Sequence, residues 1–249
     1  MKIFNSWLVN KYIAHRGLHN EEYPENSMGA FANAIENDYA IELDVHKIED
    51  NTIVVFHDET LKRLTGQDGY INQIKTIKDL KNYKLLGTNY SIPTFKEVLD
   101  FVDGRVPILI EIKDERTTSY SPTNPLTVEV YNLLKNYKGD VAIQSFNPYI
   151  LQWFKINAPE VVRGQLASYF TKQSGLKFFT RVALKRMWLN KKISEPNFIA
   201  YNYKNLPNRF VKKYKHLPLL AWAVPSQQEY MKVAPHCDNI IFENFQPRI

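Results

Sequence analysis

Short apolar runs recur along the chain and alternate with segments whose apolar residues are spaced as on one face of a helix. Several runs are apolar without interruption, which is typical of strands that are buried on both faces of a parallel sheet. Nine runs are predicted as strands: Tyr12–His15, Ala40–Val45, Ile53–Phe56, Pro107–Ile112, Val141–Ser145, Val161–Gln165, Phe198–Tyr201, Leu217–Trp222 and Asn239–Phe242. Six segments, most of which begin with Ser, Thr or Pro, are predicted as helices: Ser27–Asn37, Thr94–Val102, Pro125–Tyr137, Pro148–Asn157, Pro207–Tyr214 and Ser226–Val233.

Strand-then-helix units that repeat in this way indicate an α/β fold, and about eight of them in 249 residues favour a (β/α)8 TIM barrel. A doubly wound open sheet is the alternative, but the chain contains no Gly-x-Gly-x-x-Gly motif that would support it. No linker, low-complexity run or internal repeat interrupts the pattern, so residues 1–249 are predicted to form a single domain. A short insertion after the second strand region, at about residues 59–91, is expected to cover one end of the sheet.

Composition excludes several classes of protein. A hydrophobic fraction of 44% is too high for a disordered chain, and the single cysteine, Cys237, allows neither an internal disulfide nor a Cys-x-x-Cys site. The longest apolar run, Leu219–Val224, is far too short to span a bilayer, and the first residues lack the continuous apolar segment of a signal peptide. A cytoplasmic protein is therefore expected.

The net charge is +6, from 32 basic and 26 acidic residues. Because the basic residues are spread along the chain and no nucleic-acid motif is present, we expect no nucleic-acid partner; the excess charge suits small phosphorylated anions. One stretch, Leu176–Ile193, is strongly basic and amphipathic. It is interpreted either as a barrel helix with a solvated charged face or as an element that makes peripheral contact with an anionic membrane.

Glu42, Asp44 and His46 lie two residues apart on a predicted strand, so their side chains point to one face. Two carboxylates on one face of an apolar sheet are costly unless a cation lies between them. A hard divalent cation such as Mg²⁺ or Ca²⁺ removes that cost, because both metals prefer oxygen ligands. The alternative is a strand edge that reaches solvent.

A second strand repeats the pattern, because Glu111 and Lys113 share one face at the carboxyl end of an apolar run. His15 and His57 each follow a further apolar strand. Active sites of (β/α)8 barrels are built at the carboxyl ends of several strands, so these side chains are expected to meet. Two histidines beside three carboxylates suit a general acid and a general base in displacement at phosphorus. Arg16 and Lys113 provide donors for phosphate oxygens.

Eight short motifs then occur in one order: Ala14-His-Arg-Gly17, Pro24-Glu-Asn-Ser27, Glu42-x-Asp44, Val55-x-His57-Asp58, Leu61-x-Arg63-x-Thr65-Gly66, Ile92-Pro-Thr94, Glu111-x-Lys113 and Ser145-Phe146. In their order and approximate spacing they resemble the glycerophosphodiester phosphodiesterase family. Trp222, between a late apolar strand and a predicted helix, resembles the late tryptophan of that family.

The resemblance implies a (β/α)8 barrel that hydrolyses glycerophosphodiesters to glycerol 3-phosphate and an alcohol. It implies that His15 and His57 are the acid–base pair. It implies further that one Mg²⁺ or Ca²⁺ ion is held by Glu42, Asp44 and Glu111. The substrate would be bound by Arg16, Lys113 and Trp222. Two alternatives stay open: a lysophospholipase D-like enzyme that acts on membrane-derived lysophospholipids, and a catalytically silent barrel that binds phosphoesters or lipids.

Overall fold

The computed structural model describes residues 6–113, 119–170 and 177–248. Strands and helices alternate along most of the described chain. The strands are β1 (Ile13–Ala14), β2 (Ala40–Lys47), β3 (Ile53–Val55), β4 (Ile108–Ile112), β5 (Val141–Ser145), β6 (Val162–Ala167), β7 (Phe198–Asn202), β8 (Leu219–Val224) and β9 (Asn239–Phe242). The α-helices are α1 (Trp7–Asn10), α2 (Met28–Glu36), α3 (Lys62–Thr65), α4 (Phe95–Val102), α5 (Pro125–Leu134), α6 (Pro148–Asn157), α7 (Phe178–Lys185) and α8 (Gln227–Val233).

All nine predicted strands are present, and five of the six predicted helices form as α-helices. The exception is Pro207–Tyr214, where only Val211–Tyr214 is helical and the turn is a 3₁₀ helix. The Asn208 side chain explains the difference, because its oxygen accepts from the backbone N–H groups of Phe210 and Val211. This local turn competes with α-helical hydrogen bonding, so the segment becomes helical only from Val211 onwards.

The described residues group into two compact units. The N-terminal unit contains residues 14–113 and 122–141, and the C-terminal unit contains residues 6–13, 119–121, 142–170 and 177–248. In the N-terminal unit β2 pairs in parallel with β4, and Asp44 is level with Glu111. Helices α2 and α4 begin with the side-chain caps Ser27 and Thr94, as the sequence predicts for helix starts.

Strand β3 has the same continuous apolar pattern as the parallel strands, but it pairs antiparallel to β2 in a hairpin. The pairing of Val45 with Val55 directs the chain back along β2, and the Phe56 N–H then donates to the Asp44 carbonyl at 3.0 Å. His57 therefore lies beside the carboxylates for a reason other than the predicted one. It follows a returning hairpin strand, and not the carboxyl end of a parallel strand.

The region predicted as an insertion packs through its own apolar residues. Ten buried side chains form one cluster, in which residues from the β2–β3 hairpin pack against residues of the segment that follows: Ile48, Val54, Phe56, Leu61, Leu64, Ile71, Ile74, Leu80, Leu85 and Ile92. The segment is thus anchored to β3 by apolar burial, and it places Arg63 on α3 near the residues that follow β3.

In the C-terminal unit β5, β6, β7, β8 and β9 pair in parallel, each with the next along the chain. The strands are largely buried, as expected for parallel strands that carry helices on their faces. None of the helices in the described parts of the chain has the length and apolar character needed to cross a membrane.

Candidate active site

A tight turn after β1 brings Arg16 to the site. Arg16 and Gly17 both have positive φ angles, of 56° and 79°. A Cβ atom on Gly17 would lie 2.9 Å from Ala30, so glycine is required by both the backbone conformation and the space. The turn is held by Glu42, whose carbonyl accepts from Gly17 N–H at 3.1 Å and whose carboxylate accepts from Arg16 N–H at 3.0 Å.

Three buried carboxylates meet on strands β2 and β4. One oxygen from each of Glu42, Asp44 and Glu111 lies within 4.8 Å of the others, and the three residues are only 1%, 1% and 7% exposed. Asp44 and Glu111 stand opposite each other in the parallel pairing, while Glu42 lies one pleat before Asp44 on the same face. The three residues that the sequence predicts as metal ligands are thus brought together.

Two cations partly neutralise this cluster. Lys113 Nζ lies 2.6 Å from Glu111 Oε1 and 3.0 Å from Asp44 Oδ1, and Arg16 Nε lies 3.4 Å from Asp44 Oδ2. Burial would raise the pKa of Asp44, but the charge of Lys113, that of His57 when its ring is protonated, and that of Arg16 outweigh it and hold that pKa well below its usual range. Asp44 is therefore ionised across the physiological range.

The remaining two carboxyl groups respond in the opposite direction. Burial, followed by the charges of Asp44 and Glu111, raises the pKa of Glu42 well above its usual range, and burial also raises the pKa of Glu111. The two basic partners therefore do not stabilise the ionised form of all three buried acids. The donor set, in which all three side chains offer oxygen atoms, matches a hard divalent cation.

One atom of the cluster supports the same conclusion. Asp44 Oδ1 is buried and, although Lys113 Nζ contacts it, it accepts no well-aligned hydrogen bond from any residue in the described ranges. A buried carboxylate oxygen without a full set of hydrogen bonds is costly. A metal ion bound among the three carboxylates would satisfy this atom, so the residues fit such an ion.

His57 is oriented by its neighbour Asp58, whose Oδ1 atom lies 2.6 Å from His57 Nδ1. Burial lowers the pKa of His57 to about 4, with further lowering by Lys113 and Arg16. The imidazole is therefore neutral at pH 7, and because Nδ1 donates to Asp58, Nε2 is the nitrogen that can accept a proton. His46 supports the backbone here, since its Nε2 lies 3.0 Å from the His57 carbonyl, a group that only accepts.

Four residues of the site were not assigned a chemical role from the sequence. Asn26 donates to Asp44 Oδ2 at 2.9 Å, while Ser27 alone caps α2. The further three form a chain of ion pairs: Asp58, Arg63 and Glu25. Glu25 accepts from Arg16 Nη1 at 2.6 Å and also pairs with Arg63. Membership of these residues in the ordered motifs was the only signal in the sequence that could have indicated them.

The last two predicted site residues, His15 and Trp222, belong to different units. His15 is near enough to Asp44 for its charge to lower the pKa of that carboxyl. Trp222 belongs to the C-terminal unit, where its ring contacts Phe146 edge-to-face at 5.6 Å, and Phe146 contacts Phe170 in the same way at 5.7 Å. The roles of His15 and Trp222, like those of the other predicted site residues, stay predictions.

Comparison with protein families gives a match that covers most of the chain. The model of the glycerophosphoryl diester phosphodiesterase family matches residues 15–241. The chain belongs to this family. The match includes each of the predicted site residues, from His15 to Trp222, and it confirms the resemblance on which the predicted activity rests.

Individual relatives agree with the family assignment. A glycerophosphodiester phosphodiesterase from Caldanaerobacter subterraneus is 33% identical over 162 residues, which are 62% of this chain and 65% of that protein. A human lysophospholipase D is 33% identical over 144 residues, which are 53% of this chain and 43% of that protein. The chain thus aligns with less than two thirds of the length of these two relatives.

Solved structures show that this family member has the predicted fold. A phosphodiesterase from Oleispira antarctica, solved with the product sn-glycerol-3-phosphate, has a TM-score of 0.75 at 20% identity and covers 95% of this chain and 93% of its own. A glycerophosphodiester phosphodiesterase from Thermotoga maritima has a TM-score of 0.70 at 26% identity and covers 93% of both chains. The (β/α)8 barrel is therefore confirmed as the fold class.

Proposed function

We propose that this protein is a metal-dependent phosphodiesterase that hydrolyses glycerophosphodiesters to glycerol 3-phosphate and an alcohol. The observation that carries the proposal is the buried cluster of Glu42, Asp44 and Glu111 with His57 and two cations beside it. The family match and the relative that was solved with sn-glycerol-3-phosphate support this substrate class. The cytoplasmic location and a contact of residues 176–193 with anionic membrane are parts of the same proposal.

Glu42, Asp44 and Glu111 would hold one divalent cation, Mg²⁺ or Ca²⁺. When bound, such an ion withdraws electron density from the phosphoryl oxygens and stabilises the charge that develops on them. Asn26 fixes the Asp44 carboxylate through a hydrogen bond of 2.9 Å, so that Oδ1 stays directed at the cluster.

The two histidines would divide the proton transfers. His57 is neutral at pH 7 and its Nε2 is free to accept, so we assign it as the general base that removes the proton of the attacking hydroxyl. That hydroxyl belongs either to water or to the glycerol moiety of the substrate. His15 is then the general acid that protonates the oxygen of the leaving alcohol.

Arg16 and Lys113 would bind the non-bridging phosphoryl oxygens, which balances the negative charge that develops there. Both cations are already held in place by carboxylates, Arg16 by Glu25 and Lys113 by Glu111. Their positions therefore need little rearrangement when substrate binds, which is the condition for effective electrostatic stabilisation. Trp222 would form an apolar wall against the glycerol or the alcohol group.

Turnover of glycerophosphocholine by histidine variants tests this function. We expect His15→Ala and His57→Ala each to lower kcat by at least about 10²-fold, which is the usual contribution of a general acid or base. His216→Ala, which removes an exposed histidine of the C-terminal unit, is the matched control and should leave kcat unchanged. Full activity in either site variant would contradict the assignment.

A lysophospholipase D-like activity is the second candidate, because a human relative of that name aligns over 53% of this chain. Parallel assays with glycerophosphocholine and lysophosphatidylcholine separate the two. A higher kcat/KM for lysophosphatidylcholine would favour the second candidate. Binding of either substrate without turnover, with metal present, would indicate a barrel that binds phosphoesters without hydrolysing them.

A further inference from the structure

Helix α7 and the residues just after it carry three exposed aromatic side chains. Phe178, Phe179 and Trp188 are 64%, 81% and 54% exposed. The two phenylalanine rings contact each other edge-to-face at 5.5 Å, so they form one apolar patch at the start of the helix. Large aromatic side chains are seldom left in water at this density without a function.

The same segment is strongly positive. Residues 177–194 contain six basic residues and no acidic residue. The guanidinium of Arg181 lies over the Phe178 ring at 5.9 Å, and that of Arg186 over the Trp188 ring at 5.2 Å. Neither arginine forms an ion pair with any residue that the structure describes. Each of these two arginines therefore lies beside an exposed aromatic ring, in a segment whose positive charge has no acidic residue to balance it.

Three further contacts fix the segment to the C-terminal unit. The Lys185 ammonium lies 3.7 Å from the centre of the Tyr169 ring, and the hydroxyl of Tyr201 donates to the Lys185 carbonyl. The hydroxyl of Tyr214 donates to the Met187 carbonyl at 3.0 Å. The aromatic patch is thus presented by a segment that the body of the unit holds in place.

We propose that Phe178, Phe179, Arg181, Arg186 and Trp188, the aromatic–basic face, bind the headgroup interface of an anionic bilayer. Phenylalanine and tryptophan rings gain from entering the boundary between headgroups and acyl chains, while arginines pair with anionic headgroups. A nucleic acid is a poorer fit, because proteins that bind single strands align aromatic rings along a basic groove, whereas Phe178 and Phe179 lie next to each other at the start of a helix. This inference rests on the membrane contact in the proposed function, and it names the side chains that would make that contact.

Co-sedimentation of the full chain with vesicles tests this face. We expect strong binding to vesicles that mix phosphatidylglycerol with phosphatidylcholine, and at least about tenfold weaker binding to phosphatidylcholine alone. Replacing both arginines, Arg181→Gln with Arg186→Gln, should weaken binding to anionic vesicles by about 25-fold, since each charge near the surface contributes about 1 kcal/mol. Phe179→Ser should weaken binding at both low and physiological ionic strength.

Matched controls remove the same chemistry elsewhere. Lys212→Gln with Lys213→Gln removes two exposed charges, and Met231→Ser removes an apolar side chain that is 70% exposed. Both controls should bind vesicles like the unchanged protein. Equal loss in the controls, or equal binding to neutral vesicles, would overturn the proposal. So would a dimer in lipid-free solution that Phe179→Ser converts to a monomer. Because soluble glycerophosphocholine reports on the chemistry separately, failure of the two proposals can be told apart.

A second inference concerns the ion pairs that link the two sides of the site. Arg63 donates from Nε to Asp58 at 2.6 Å and from Nη1 to Glu25 at 2.7 Å. Asp58 in turn holds His57, and Glu25 holds Arg16 at 2.6 Å. The general base and a phosphate ligand are therefore connected through one guanidinium.

We infer that Arg63 and Glu25 are positioning residues that set the distance between His57 and Arg16. This inference rests on the proposed function. Arginine suits the place because its planar fork can engage two carboxylates at once, which a lysine ammonium cannot do with the same geometry. Arg63 is itself about half exposed, so its removal should affect the site more than the stability of the fold.

Kinetics with glycerophosphocholine test the inference. We expect Arg63→Gln to lower kcat by about tenfold or more with a Tm within a few degrees of the unchanged protein, and Arg63→Lys to restore only part of kcat. Adding Glu25→Gln to Arg63→Gln should cost less than the two separate losses combined. The control is Lys62→Gln. Lys62 lies next to Arg63 on α3 and forms an exposed ion pair with Asp68, so its loss should leave kcat unchanged.

Two results would overturn the role of Arg63. One is equal kcat for Arg63→Gln and Lys62→Gln. The other is a loss that follows the loss of Tm alone, which would indicate a structural role. Turnover by the unchanged protein tests the proposed function, whereas the ratio of the variants' kcat to that of the unchanged protein tests the positioning role.

Discussion

Asp44 is the residue at which most charges of the site meet. It contacts Lys113, Arg16 and Asn26, and the charges of both His15 and His57 act on its pKa. Its place could be predicted, because the two-residue spacing from Glu42 and the repeat at Glu111 put carboxylates on one face of adjacent strands. The contact with Asn26 could not, because it depends on a turn between β1 and α2 that no local pattern describes.

The protonation of His57 gives a prediction at the level of one residue. Its pKa is lowered to about 4, chiefly by burial, so its ring should titrate well below the ordinary value of about 6.5. Asp58→Asn should lower the midpoint further, because the Asp58 carboxylate favours the charged ring. NMR titration of the ring protons, assigned with His57→Ala, measures this. A midpoint near 6.5 would contradict the burial, and with it the assignment as general base.

The ion pairs of Arg63 show why residue chemistry is hard to predict from sequence. Arg63 and Glu25 are separated by 38 residues and lie on segments whose own patterns predict only a short turn and a helix start. Pairing them requires the packing of the apolar cluster around Leu61 and Leu64, which positions α3. The motif order marked both residues, but only the three-dimensional arrangement shows what they contact.

At the scale of elements, apolar runs predicted where strands occur but not their direction. The run Ile53–Val55 has the same character as the parallel strands, and only the short connection after β2 indicates that it must return as a hairpin. Prediction of helices failed where a side chain overrides propensity, as at Asn208. Strand positions follow from hydrophobic burial alone, whereas direction and helix type depend on connections and on single hydrogen bonds.

The turn after β1 gives a prediction about elements. Gly17→Ala should destabilise the protein by about 1–3 kcal/mol more than Gly66→Ala, because both glycines have positive φ but only Gly17 lacks room for a Cβ atom. Gly66→Ala is the matched control and should cost about 1–2 kcal/mol from its backbone conformation alone. Urea unfolding monitored by circular dichroism measures both. Equal costs would show that Ala30 can move away without penalty.

At the scale of the whole molecule, the family match over residues 15–241 and the barrel fold agree with what the ordered motifs predict. Two groups of basic residues are notable in this chain of net charge +6: Arg16 and Lys113, which lie among carboxylates in the candidate site, and the six basic residues of 177–192, which have no acidic residue among them. Neither resembles the basic groove of a nucleic-acid-binding protein. Residues 177–192 hold much of the excess positive charge, which the proposed membrane contact would direct at lipid headgroups.

Metal dependence of turnover tests whether Glu42, Asp44 and Glu111 hold a catalytic ion. Hydrolysis of glycerophosphocholine is measured before and after removal of divalent cations with EDTA, and again after excess Mg²⁺ or Ca²⁺ is added back. We expect EDTA to abolish release of glycerol 3-phosphate and one of the two cations to restore it, whereas neither cation should restore activity to Asp44→Asn. Undiminished turnover in EDTA would contradict this expectation, because the buried carboxylates would then have no catalytic ion to hold.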